Sequence, residues 1–188
     1  MTMSSTEWER LRQLIRDLSY REGTFTLTSG RKSDFYIDCK QTTLSAEGAY
    51  LCGRLMYQAL AAAPGDFSAI GGMTLGADPL VTATSVVSFL ENHPVPAFII
   101  RKEPKGHGTG SWIEGKANIE QGSPVALVED VVTTAGTLVK AIERTEQEGF
   151  RVSHVITLVD RQEGGRERLR EAGYELIALF TKEDIKKA

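Results

Sequence analysis

Cysteine is nearly missing from this chain: Cys39 and Cys52 are the only two among 188 residues, and there are three histidines. That excludes a disulfide framework or a zinc knuckle and fits a reducing compartment, with the two thiols expected on a strand and a helix. Long apolar runs are missing too. No stretch approaches the ~20 residues that a membrane span requires, and Met1–Trp8 lacks the basic-then-apolar layout of a secretory signal, so the expected location is the cytoplasm, without a membrane partner. Positive charge is not in excess: 22 Lys and Arg stand against 25 Asp and Glu, giving net charge −3 and a pI near 5.7. A nucleic-acid partner needs a dense basic surface and is therefore not expected, so any anion site must be local. Neither Gly-x-x-x-x-Gly-Lys-Ser/Thr nor Gly-x-Gly-x-x-Gly occurs, which disfavours a nucleoside-triphosphate or dinucleotide binder.

With 41% hydrophobic and 25% charged residues, the chain has the composition of one globular domain with a sizeable core. Trp8, Leu11, Leu14, Ile15 and Leu18 recur at helical spacing behind Ser4-x-x-Glu7, which predicts a capped first helix running to about Arg21 and stopping at Gly23. Phe25-Thr-Leu and Phe35-Tyr-Ile-Asp read as short strands around the turn Ser29-Gly30-Arg31. Ser45 is placed to cap a helix over about 46–62, ended by Pro64-Gly65. A buried strand at Ala69-Ile-Gly-Gly72 follows, then a helix beginning near Pro79. Strands near 96–101, 124–129, 152–159 and 174–180 alternate with helices near 137–148 and 163–172, without repeat or linker. Such alternation predicts an α/β fold in which a parallel sheet is covered by helices.

Within that pattern, Val125-Ala-Leu-Val-Glu-Asp-Val-Val-Thr-Thr-Ala-Gly-Thr137 carries the most chemistry. It runs an apolar strand into two carboxylates and then into a turn of small residues that opens a helix. Glu129 and Asp130 at a strand end can accept hydrogen bonds from sugar hydroxyls and stand near a divalent cation. Thr133, Thr134, Ala135, Gly136 and Thr137 have side chains short enough for backbone N–H groups to wrap a phosphate at a positive helix end. An ordinary strand-loop-helix explains either feature, but gives no reason for both together. A second segment, Arg101-Lys-Glu-Pro-Lys-Gly-His-Gly-Thr-Gly110, is charged, glycine-rich and without an apolar anchor before Trp112. It reads either as a solvated surface loop or as a mobile lid bringing Arg101, Lys102, Lys105 and His107 onto a leaving diphosphate. His93, before Pro94, and His154, in a strand pattern, read as structural.

The 125–137 segment resembles the signature with which phosphoribosyltransferases bind 5-phosphoribosyl-1-pyrophosphate (PRPP). Together with Phe25-Thr-Leu-Thr-Ser-Gly-Arg-Lys-Ser-Asp-Phe-Tyr-Ile-Asp38, the loop Arg101-Lys102-x-x-Lys105-x-His107-Gly108 and Val159-Asp-Arg-Gln-Glu163, it makes the chain resemble the orotate phosphoribosyltransferases over nearly its whole length. The resemblance implies a type I phosphoribosyltransferase fold: one domain over 1–188, with a small N-terminal hood formed mainly by about 1–45. It also implies transfer of the phosphoribosyl group of PRPP to orotate, giving orotidine 5′-monophosphate and pyrophosphate in pyrimidine biosynthesis. By the same resemblance Glu129 and Asp130 hold the ribose hydroxyls, the 133–137 loop holds the 5′-phosphate, and Val131 and Val132 belong to the same PRPP site. Arg101, Lys102, Lys105 and His107 meet the pyrophosphate, partly from the other subunit of a homodimer with shared sites. Catalysis falls to Lys105, His107 and Asp130, with His107 read as proton donor or as a positional charge. Orotate falls to Arg161, Thr133 and the main chain at Tyr36-Ile37; Arg161 also fits an ordinary salt-bridge residue. The implied cofactor is Mg2+, held mainly through PRPP and water rather than by direct protein ligands.

Thr28 and Thr74-Leu75-Gly76 stand where better-known relatives carry lysines, and the 71–76 turn then offers backbone N–H groups in their place. Transfer to a purine or xanthine, and a regulatory protein that only senses PRPP, are the competing readings.

Overall fold

The computed structural model describes residues 4–26, 32–104 and 111–188. Helix α1 (Ser5–Leu14) starts where predicted, with the Ser4 hydroxyl accepting from the Glu7 N–H at 3.4 Å. It does not reach Arg21. One wider turn, Ile15–Ser19, closes it, and Tyr20 is already in strand β1 (Tyr20–Thr26). The reason is packing: the Tyr20 ring stacks on Phe35 of β2 (Lys32–Ile37), with centroids 5.8 Å apart. The two strands form an antiparallel pair outside the main sheet. The predicted turn at Ser29-Gly30-Arg31 lies outside the described residues. Cys39 stands just past β2 rather than on it, before the short helix α2 (Lys40–Thr43). Cys39 and Cys52 are buried and free, and burial pushes both thiols up from their ordinary value.

Helix α3 (Ala46–Ala62) is capped as expected, the Ser45 hydroxyl accepting from the Gly48 N–H at 3.1 Å. Next come β3 (Ala69–Met73), α4 (Asp78–Leu90), with Pro79 in its first turn, and β4 (Ala97–Ile100). The two-residue strand β5 (Ile113–Glu114) has too little pattern to be seen in sequence. Beyond it run β6 (Pro124–Val132), α5 (Gly136–Gln147), β7 (Arg151–Asp160), α6 (Gly165–Glu171) and β8 (Leu176–Thr181). The closing helix α7 (Lys182–Lys186) was not anticipated; its short span is started by a Thr181/Asp184 capping box.

The main sheet has the order β5-β4-β3-β6-β7-β8. All neighbours are parallel except β4 and β5, so the predicted parallel sheet carries one antiparallel edge. Strand β6 is central and apolar on both faces: Ala126 and Val128 join a core with α1, α3 and α4, and Val125 and Leu127 join one with α5 and α6. From β3 the chain first adds β4 on one side and later β6 on the other. Their carboxyl ends therefore flank a topological switch point, where open α/β sheets hold ligands. Among the described residues no helix is long and apolar enough to cross a membrane.

Helices α3 and α4 approach closely at Gly53, where a Cβ would stand 2.7 Å from the Ala83 carbonyl carbon and oxygen. In a helix interior Gly→Ala ordinarily stabilises by up to ~1 kcal/mol. Here the added methyl meets backbone, and overpacking costs ~1–3 kcal/mol. Gly53→Ala should therefore lower the midpoint of thermal unfolding. A higher midpoint would mean that the two helices have room to spare.

Candidate active site

Strand β6 delivers Glu129 and Asp130 to the switch point and ends at Val132; Thr133, Thr134 and Ala135 then turn the chain into α5. Ala135 adopts a left-handed conformation with φ 57°, and no side chain caps the helix. Its first internal bond is from the Val139 N–H to the Ala135 carbonyl, so the N–H groups of the first turn are left for an external acceptor. Glu129, Val131 to Thr137 and Leu138 line a concavity of about 150 Å³ around that helix start. Such a cradle accepts a phosphate through N–H donors and the helix dipole.

The two carboxylates have different surroundings. Glu129 is nearly buried, at 9% exposure, and its Oε2 has no hydrogen-bond partner among the described residues. Burial, and then the neighbouring Asp130 carboxylate, hold its carboxyl well above the usual range. Asp130 is more open. Its Oδ1 accepts from the Val131 N–H at 2.9 Å, and its carboxylate lies against Gly76, where a Cβ would stand 2.6 Å from Oδ1. A glycine at 76 is thus what lets the turn after β3 close on the end of β6. The Thr74 N–H donates to the Ile100 carbonyl of β4 at 2.9 Å and those of Ala77 and Asp78 donate to the Met73 and Leu75 carbonyls, whereas those of Leu75 and Gly76 donate to no described residue. Leu75 is 63% exposed.

Arg161 follows the end of β7, and its N–H donates to the Val132 carbonyl at 2.9 Å, which ties it to the phosphate-loop strand. Its guanidinium is buried between Glu163 Oε1, 2.8 Å from Nε, and the Phe35 ring, whose centroid is 4.2 Å away. Ile37 is buried in β2 and Tyr36 is half-exposed. Lys102, Gly136 and Thr137 line a single cleft of about 740 Å³ with Lys140 and Arg144. Arg101 is absent from that cleft, its guanidinium being paired with Glu114 at 2.9 Å. Lys105, His107 and Thr28 lie outside the described residues. His154 is buried, with Nε2 3.2 Å from the Pro64 carbonyl, as expected of a structural residue, whereas His93 is exposed, its ring edge-on to Phe67 with centroids 6.5 Å apart.

Sequence reasoning passed over three residues here. Phe35 read only as a strand residue. Lys40 pairs with Asp38 at 2.6 Å, and its ammonium is held above its ordinary value by Asp38 and also by Asp130. Arg144, on α5, donates to the Arg101 carbonyl at 2.7 Å. No local pattern marks Phe35 or Arg144, which act across the fold, and the Lys40–Asp38 pair is local, with only its link to Asp130 crossing the fold.

The Phosphoribosyl transferase domain family matches residues 42–174. An orotate phosphoribosyltransferase from Nostoc is 49% identical over 96% of this chain and 86% of its own. That of Sorangium cellulosum is 47% identical over 96% and 94%. The chain belongs to the orotate phosphoribosyltransferase family. The fold agrees: the crystal structure of Mycobacterium tuberculosis orotate phosphoribosyltransferase in complex with PRPP superposes with a TM-score of 0.78 at 33% identity, covering 96% of this chain and 99% of that one. Adenine phosphoribosyltransferase from Leishmania donovani, at 20% identity and a TM-score of 0.66, shares the fold alone.

Glu129 makes a pH-dependent contribution to stability. Between its unfolded pKa, about 4.3, and its raised folded value, the folded chain keeps a proton that the unfolded chain has released, so stability falls as pH rises. Glu129→Gln is neutral throughout and should remove this slope. Relative to wild type it should gain thermal stability as pH rises above about 4.3, until the folded wild-type carboxyl also ionises. An offset independent of pH would show that Glu129 is already ionised in the folded chain.

Proposed function

We infer that this chain is an enzyme that transfers the phosphoribosyl group of PRPP to orotate, giving orotidine 5′-monophosphate and pyrophosphate, a step of pyrimidine biosynthesis. The observation that carries this is the uncapped start of α5 directly after Glu129 and Asp130, at the switch point of a chain 49% identical to an orotate phosphoribosyltransferase. Those relatives weigh against the purine, xanthine and purely regulatory readings.

In the reaction, a ring nitrogen of orotate bonds to C1 of the ribose as the bond to the pyrophosphate oxygen breaks, its electron pair leaving with pyrophosphate. Positive charge grows on the ribose and negative charge on the leaving group, so the protein's task is to hold both and to exclude water. We assign the 5′-phosphate to the N–H groups of 133–137 and the ribose hydroxyls to Glu129 and Asp130. A raised Glu129 pKa suits a carboxyl that can donate to, as well as accept from, a hydroxyl. Lys102, with Lys105 and His107, is assigned to the diphosphate, where the N–H groups of Leu75 and Gly76, which donate to no described residue, add to the charge-neutralising set. Arg161, Thr133 and the Tyr36-Ile37 main chain are assigned to orotate. A guanidinium already desolvated by Phe35 and oriented by Glu163 is suited to bidentate recognition of a carboxylate.

Among the described residues no group of three or more His, Cys, Asp or Glu could hold a metal. Mg2+ keeps several waters and binds substrate phosphates, so it would be held here mainly through PRPP and water, with the Asp130 carboxylate nearby. When bound, it would offset the charge of the diphosphate. The chain is proposed to act as one domain with a hood over about 1–45, in the cytoplasm, as a homodimer in which each subunit supplies Lys105 and His107 to the other's site while Lys102 serves its own.

Loss of orotate absorbance on adding PRPP and magnesium to the purified protein tests the reaction. No loss, or equal consumption of PRPP with a purine, would refute it. Arg161→Lys keeps charge but loses the planar fork, so the KM for orotate should rise ~10-fold or more, the scale of one charge-assisted hydrogen bond. The KM for PRPP should stay near wild type. Equal damage to both would make Arg161 a structural residue.

A further inference from the structure

Helix α5 begins at the phosphate loop, and its last turns grip the segment that carries Arg101 and Lys102. Arg144 lies eight residues after Gly136, or about 12 Å along the axis at 1.5 Å per residue. Its Nη1 donates to the Arg101 carbonyl at 2.7 Å and its Nη2 to the Lys102 carbonyl at 3.3 Å. The guanidinium also lies 3.9 Å from the centroid of Trp112, and Trp112 returns the grip by accepting at its carbonyl from the Arg101 N–H at 2.9 Å. One residue past the helix, Glu148 takes the Trp112 N–H at 2.9 Å and the Ser111 hydroxyl at 3.2 Å. Burial disfavours the charged form of Glu148, but the Lys116 ammonium and these donors outweigh it and hold the carboxyl below its usual value.

A guanidinium normally seeks a carboxylate, and here it has none among the described residues. It is used instead on the carbonyls of two successive residues and on an aromatic face, which together define the path of the chain leaving β4. The side chain next along that path, Lys102, borders the same cleft as Gly136 and Thr137 of the phosphate loop.

We propose that Arg144 is a positioning residue for the transfer reaction: it fixes the main chain at Arg101-Lys102 to the helix that opens at the phosphate loop, and so sets the distance between the 5′-phosphate cradle and the Lys102 ammonium. The two charged ends of PRPP are thereby referred to one rigid element. Arg144 touches neither substrate. Its effect passes through Lys102, and this inference rests on the assignment of Lys102 to the diphosphate.

The test is a double-mutant cycle read in PRPP and orotate kinetics. Lys102→Ala should raise the KM for PRPP roughly tenfold, the scale of one charge-assisted hydrogen bond. Arg144→Gln should produce a rise of similar size, with the KM for orotate little changed. The double variant should resemble Lys102→Ala alone, because a main chain set for a missing ammonium sets nothing. Arg144→Lys retains one donor position but not the fork or the flat stacking face, and should fall between wild type and Arg144→Gln. Multiplying effects in the double variant would overturn the proposal while leaving the Lys102 assignment standing. An unchanged PRPP KM in Lys102→Ala would remove that assignment and the proposal with it. A lower melting midpoint in Arg144→Gln with both KM values kept would reduce Arg144 to a stabilising residue, and if Arg144→Gln does not fold, Arg144→Lys carries the same comparison.

Discussion

The structure depends on the uncapped start of α5, held against the end of β6. A helix terminus with open N–H donors and no capping side chain is an unfavourable thing to leave beside a core unless an anion completes it. Everything around it limits the alternatives. Val125 to Val128 are fully buried in the centre of the sheet, so the loop cannot slide along the strand. Ala135 is held in a left-handed conformation that directs the chain into the helix. Glu129 beside it is desolvated, and its Oε2 has no partner among the described residues. A phosphate on the helix start and a hydroxyl on Glu129 would satisfy both deficits, and a phosphorylated ribose brings the two together.

The same geometry explains how the remaining groups are recruited. The turn after β3 reaches Asp130 because residue 76 has no side chain, which places two N–H groups and one carboxylate on the same side of the switch point. Arg161 is tied by its N–H to the carbonyl of Val132, one residue before the phosphate loop, and its charge is kept dry by Phe35 from the two-stranded hood. Hood and sheet therefore meet at one buried cation. Burial of a guanidinium is costly unless its donors are matched, and Glu163 supplies a carboxylate 2.8 Å from Nε.

Much of this could be read from residues in order. Ser45 and its helix, Pro79 at the start of the next, and the run from Val125 to Thr137 announce themselves because capping, proline geometry and strand-to-loop chemistry act within a few residues. The end of the first helix was misplaced because the Tyr20–Phe35 stack draws Tyr20 into a strand, a contact across fifteen residues of chain. The antiparallel edge strand Ile113–Glu114 is too short to show periodicity. Arg144, Lys40 and Phe35 were invisible for a related reason. Arg144 meets the Lys102 carbonyl, Phe35 meets the Arg161 guanidinium, and Lys40, besides its neighbour Asp38, feels Asp130, three links that are not near in sequence.

The central claim is that the 5′-phosphate of PRPP sits on the N–H groups between Thr133 and Thr137. A crystal structure of this protein with PRPP and magnesium tests it most directly. The account predicts phosphate oxygens within hydrogen-bond distance of several of these N–H groups, ribose hydroxyls on Glu129 and Asp130, and the diphosphate directed toward Lys102. A 5′-phosphate bound anywhere else, with the start of α5 left to water, would contradict it.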